Sequence, residues 1–91
     1  MMSATLIVRH TVADPAAWRE VYAEAGAIRV KHGCTAERVL QSPTDPNDIV
    51  ATHEFPSVAQ AQAFVDDPEL GAAMQRAGVV GAPRVEIFQG V

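Results

Sequence analysis

A β-branched run followed by a capped helix occurs twice in this chain, and that doubled unit constrains the fold more than any other feature of the sequence. The first copy opens with Thr5 to Val12 (TLIVRHTV), bounded by a turn signal, which reads as a strand. Leu6, Val8, His10 and Val12 share one face by period two, so the histidine sits among apolar neighbours. Asp14-Pro15 follows at once. Asp accepts bonds from the first free backbone N–H groups of a helix, and Pro fits the first helical position without losing a needed donor. The spacing of Trp18, Val21, Tyr22, Ala25, Ile28 and His32 predicts one amphipathic helix to about His32, where Gly33 supplies a left-handed stop.

Ala36 to Gln41 has the mixed polarity of a short edge strand, and Ser42 to Asp48 is a dense turn cluster before a further strand, Ile49 to Phe55 (IVATHEF). Ser57 and Gln60 then form a capping box ahead of an apolar stripe of Val58, Ala61, Phe64 and Val65. Asp66-Asp67-Pro68 interrupts it, and Asp67 caps a second short helix through Leu70, Ala73, Met74 and Ala77, closed by Gly78. Arg84 to Gln89, entered through Pro83, is the last strand. With right-handed crossovers, residues 1–91 are expected to form one α+β domain, ferredoxin-like in its β-α-β-β-α-β order. Its four-stranded antiparallel sheet takes the strand order 4-1-3-2, with the helices on one face.

A domain this short buries a thin core, and a partner chain would help it. Strand three alternates Ile49, Ala51 and Phe55 with Val50 and Thr52, so neither face is plainly wet. A homodimer packed sheet on sheet is therefore expected. The net charge is −4 and the seven Lys and Arg residues are scattered singly, which argues against nucleic acid, whose phosphates demand a basic patch. Met1 to His10 has neither a basic stretch nor a continuous apolar run, and no segment reaches the length of a membrane span. A cytoplasmic protein without a membrane partner is the expectation. Cys34 is the single cysteine, which excludes an internal disulfide and cysteine-paired zinc sites.

His10 is the leading candidate for chemistry, since a neutral imidazole near pH 7 takes or gives a proton. The bland reading is a core-edge histidine bonded to backbone. Trp18 and Tyr22 lie one helical turn apart on the buried stripe, where a planar ligand could stack and the Tyr hydroxyl orient it; ordinary core packing is the alternative. His53 joins them as a ligand-binding candidate, although His10 and His53 fall near opposite ends of antiparallel strands and make no obvious pair. Glu54, next to His53, must point to the other face and is expected to bind Arg9 or Arg38. His32 is read as answering the helix dipole, and Cys34 as no nucleophile. The three histidines lack metal-ligand spacing, and no glycine-rich phosphate loop or nucleophile elbow is present. No metal and no organic cofactor is expected.

Val8-Arg9-His10-Thr11-Val12, Asp14-Pro15-Ala16-Ala17-Trp18, Asp45-Pro46-Asn47-Asp48, His53-Glu54-Phe55 and Ala73-Met74-Gln75-Arg76-Ala77-Gly78-Val79 together resemble the dimeric α/β-barrel superfamily. Within it the chain is most similar to the antibiotic biosynthesis monooxygenase-like group of small bacterial proteins, some labelled cyclases. The resemblance covers nearly the whole chain. It implies a homodimeric barrel with a cavity between sheet and helices, and an enzyme of the cofactor-independent oxygenase or cyclase kind acting on a small apolar cyclic or phenolic molecule. It equally accommodates a non-catalytic binding or stress-related homodimer. An enclosed volume below roughly 300 Å³ would argue against that cyclic or phenolic substrate class.

Overall fold

Asp14 and Ser57 start helices as their side-chain chemistry dictates. In the computed structural model, which describes residues 3–91, the Asp14 carboxylate accepts from the backbone N–H of Ala16 and Ala17, and the Ser57 hydroxyl accepts from that of Gln60. Residues 1 and 2, part of the stretch read for a leader, lie outside the described residues. The element order is β1 (Ala4–Val12), α1 (Pro15–Glu24), α2 (Gly26–Lys31), β2 (Ala36–Gln41), β3 (Asp48–Phe55), α3 (Val58–Asp66), α4 (Pro68–Arg76) and β4 (Val79–Gln89). All pairings are antiparallel in the order β2-β3-β1-β4, the topology expected, with the helices on one face.

Two boundaries differ from the sequence reading. The first helix breaks at Ala25. In a continuous helix the Tyr22 carbonyl would accept from the N–H four residues on; here the Arg29 guanidinium takes that carbonyl at 2.9 Å. Ile28 instead bonds back three residues to Ala25. The last strand begins at Val79 rather than Arg84. Arg9 pairs with Arg84 but Thr11 with Val80, so Gly81, Ala82 and Pro83 bulge opposite His10. Gly81, at φ 72°, and a proline without an N–H signal a break in sequence, but a bulge accommodates both.

The helix-covered face holds the core. Ala4, Leu6 and Val8 of β1 pack with Phe55, Ile28, Ala61 and Phe64, while Val12, Trp18, Ile49 and Ala77 form a second cluster. Val58, placed on the stripe by its spacing, is 40% exposed instead. The opposite face carries Ile7, Arg9, Val50, Thr52 and Phe88 by register. No element among the described residues covers it, and Phe88 there is 54% exposed.

Candidate functional site

Four small residues mark where space remains under the helices. Ala25, Ala51, Ala73 and Ala77 all line a cavity of about 50 Å³. Val8, Leu70 and Met74 complete much of its apolar wall. Into it come His10, Trp18, Tyr22 and His53, all four residues singled out from sequence, together with Arg29.

The two histidines share one face because their register partners do: His10 stands opposite Ile49, and His53 opposite Leu6. They occupy opposite ends of the sheet, as expected, yet aromatic rings connect them. His10 meets Trp18 edge-on at 5.5 Å between centroids, Trp18 stacks on Tyr22 at 4.8 Å, and Tyr22 lies 6.0 Å from His53. His10 is 7% exposed, and neither of its ring nitrogens has a hydrogen-bond partner among the described residues. The bland reading of a backbone-bonded histidine therefore does not hold. Burial pushes its pKa below the ordinary value, so the ring is neutral, with one donor and one acceptor unused.

His53 is bound differently. Its Nε2 lies 2.9 Å from Tyr22 Oη, while its buried Nδ1 has no partner. Burial, reinforced by the Arg29 charge, lowers its pKa to about 4. Tyr22 Oη–H also donates to Glu37 Oε2 at 3.1 Å, and Arg29 Nε forms an ion pair with the same oxygen. The guanidinium lies 3.9 Å over the Tyr22 ring, which is thus held between Trp18 and a cation. Burial raises the Tyr22 pKa well above its usual value and keeps the phenol protonated.

Arg29 and Glu37 are the site residues that sequence reading missed. A sequence signal existed for Arg29 alone. Arg29 lies seven residues from Tyr22, on the buried stripe of the helix where an unpaired arginine is out of place. Glu37 falls opposite His53 in the β2–β3 register, so period two puts it on the helix-covered face.

Other expectations are corrected. Glu54 binds neither Arg9 nor Arg38 as expected: it accepts from the Thr5 hydroxyl at 2.7 Å, and Arg9 pairs with Asp48. The cross-strand neighbour on the outer face is Thr5, which is closer than either arginine. His32 does more than meet a dipole: its Nε2 bonds Asp67 at 2.7 Å. Asp67 also accepts from Lys31 and the Glu69 backbone, bonds that hold its carboxyl far below the usual range. Cys34 donates to the Ala36 carbonyl, and burial raises its pKa, away from nucleophilic use. Among the described residues, no group of three His, Cys, Asp or Glu could hold a metal ion, and no helix is long and apolar enough to cross a membrane.

The fold and site define a ferredoxin-like α+β chain with a small apolar cavity under its helices and two neutral histidines in the cavity wall. Solved structures of this shape exist. A candidate antibiotic biosynthesis monooxygenase from Bordetella bronchiseptica matches with a TM-score of 0.84 at 15% identity, over 100% of this chain and 99% of that one. SnoaB, a cofactor-independent oxygenase from Streptomyces nogalater, matches with a TM-score of 0.75 at 16% identity, over 100% and 93%. A protein of unknown function from Nitrosomonas europaea gives 0.76 at 23% identity, over 100% and 91%. No protein-family profile and no curated protein sequence matches the chain. This chain thus has the fold of the antibiotic biosynthesis monooxygenase-like proteins, and at these identities the likeness is one of fold.

Proposed function

We propose that the chain binds a small apolar cyclic or phenolic molecule in the cavity beneath its helices and acts on it as an oxygenase- or cyclase-like enzyme without metal or organic cofactor. The observation that carries this reading is His10: a buried imidazole with both nitrogens unpartnered, in an apolar wall. Leaving such groups unsatisfied costs about 1–3 kcal/mol each, a cost that a ligand hydroxyl removes for the nitrogen it reaches. His10 then serves as proton acceptor or donor, and Trp18, Tyr22 and His53 shape and orient the ligand. Taking a phenolic proton makes a ring electron-rich, which suits direct reaction with dioxygen in a site that excludes water. The shared shape with a cofactor-independent oxygenase supports the reading.

The volume sets a condition. A space of about 50 Å³ holds a few waters, whereas an aromatic ring needs on the order of 150 Å³. The cyclic or phenolic substrate expected from sequence does not fit this volume, which falls below the bound set for it, so such a ligand enters only with movement of the cavity wall that includes Leu70 and Met74 of α4. A second reading, which a space too small for an aromatic ring leaves open, is a homodimer that binds a smaller apolar molecule and leaves it unchanged. In both readings the uncovered sheet face is the dimer contact, which hides Phe88 and Ile7.

A thermal-shift screen with phenols and larger aromatic polyketide-like compounds, followed by mass analysis of each stabilising compound after aerobic incubation, separates these readings. A product that disappears in His10→Ala supports catalysis. A stabilising compound recovered unchanged supports binding alone, and no stabilising compound contradicts both.

A further inference from the structure

Tyr22 has one hydroxyl proton and two neighbours able to accept it, Glu37 Oε2 at 3.1 Å and His53 Nε2 at 2.9 Å. The Glu37 carboxylate, paired with the Arg29 guanidinium, is an acceptor only. If Tyr22 gave its proton to His53, its oxygen would face the Glu37 oxygen with no proton between them. The arrangement that satisfies Tyr22 Oη, Glu37 Oε2 and His53 Nε2 together has Tyr22 donating to Glu37 and accepting from His53 Nε2–H. A neutral imidazole with its proton on Nε2 carries its lone pair on Nδ1, and Nδ1 is the buried atom left without a partner in a ring 3% exposed on the cavity wall.

We propose that Glu37, acting through Tyr22, fixes the His53 proton on Nε2 and so makes Nδ1 a second proton acceptor of the cavity, joined by hydrogen bonds to solvent. The inference rests on the ligand-binding reading of the cavity only for its use; the tautomer itself is a property of the free protein. Glu37 and Tyr22 are positioning residues. Arg29 positions Glu37, and its contact over the Tyr22 ring holds that ring in place.

The path balances. A hydroxyl donor in the cavity gives its proton to Nδ1, Nε2–H passes to Tyr22 Oη, and the Tyr22 proton passes to Glu37. The Glu37 side chain is 45% exposed and can release it to water. The ligand is left as an anion, and no electron moves. The arrangement also selects at that end of the cavity: Nδ1 accepts a hydrogen bond, so it favours a hydroxyl or N–H there over a carbonyl or carboxylate, whose oxygens have no proton to share.

Histidine-selective 1H–15N correlation spectra test this directly, because the chain has three histidines and variants at each assign the signals. At pH 7 the free protein is expected to show His53 protonated on Nε2 with Nδ1 bare. A His53 carrying its proton on Nδ1, or on both nitrogens, overturns the proposal whatever the cavity binds. In Glu37→Ala the Tyr22 proton is released toward His53, and the Nδ1–H share is expected to rise roughly three- to tenfold, the worth of one hydrogen bond; an unchanged share overturns it. In a Tyr22→Phe background, removing Glu37 as well is expected to leave the Nδ1–H share at His53 unchanged at pH 7, since its remaining effect, through charge, is on the His53 pKa and not on the tautomer. A further change in that share means that Glu37 acts by another route and likewise overturns the relay. A wild-type spectrum of the expected form, with no ligand found by the screen above, leaves the relay standing and removes the ligand reading.

Discussion

Acid should destabilise this protein in a pH window that carboxylates cannot explain, and His53 sets its width. Its pKa falls from 6.5 in the unfolded chain to about 4 in the folded one, because burial and then Arg29 oppose the charge. Below pH 6.5 the unfolded state therefore takes up a proton that the folded state refuses, so stability is full above that pH and is lost as pH falls toward 4. At about 1.4 kcal/mol per unit, a shift of this size removes about 3 kcal/mol by pH 4. For a domain of this length that lowers Tm by roughly 12–24 °C. His10, with a pKa lowered by burial, adds loss of the same sign. Asp48 and Asp67 have pKa values depressed from 3.8, so their contributions disappear only below it and lie outside the window. The assay is urea unfolding read by Trp18 fluorescence from pH 7.5 to 4, at one protein concentration since a dimer would couple to it. His53→Gln is the reference in which the His53 share of the slope vanishes. A wild-type curve parallel to that of His53→Gln across the window would refute the reasoning.

Other consequences are measurable. Tyr22→Phe leaves His53 Nε2 without its partner and is expected to cost about 1–3 kcal/mol in urea unfolding; a change below about 0.5 kcal/mol would mean the bond is not made. Phe64→Ala removes a ring that is 2% exposed between Phe55 and His53, and about 3–5 kcal/mol of stability should go with it. Phe88→Glu places a charge on the uncovered sheet face and is expected to turn a dimer into a monomer by light scattering; a wild type that is already monomeric at micromolar concentration sinks the dimer. Asp67→Asn weakens the bonds from His32 and Lys31, and faster hydrogen exchange in the first turn of α4 is the expected sign.

The parts of the fold written in local chemistry were legible. Asp14-Pro15, Ser57 with Gln60, and the alternation of β1 and β3 each act within a few residues, and each appears where its chemistry puts it. What failed depended on contacts made across the fold. At the helix break at Ala25 a guanidinium seven residues beyond Tyr22 bonds the carbonyl left free there, a contact that periodicity does not register. The early start of β4 needs a bulge that absorbs Gly81 and Pro83, residues that in isolation end strands. Within the site, His10, Trp18, Tyr22 and His53 were visible as polar or aromatic interruptions of apolar faces. Arg29 and Glu37 were hidden because charged residues are ordinarily solvated, and only the β2–β3 register puts Glu37 beside Tyr22 and His53. The size of the cavity was not legible, since it depends on how far α4 lies from the sheet above Ala51.

Titration of a one-ring phenol into protein with isotopically labelled histidine tests the ligand-binding cavity most directly. Saturable movement of the His10 ring signals, together with a change in Trp18 fluorescence and abolished by Ala73→Leu, which fills the space beneath α4, is the expected result. His10 signals that stay fixed up to millimolar phenol while the protein remains folded would contradict it.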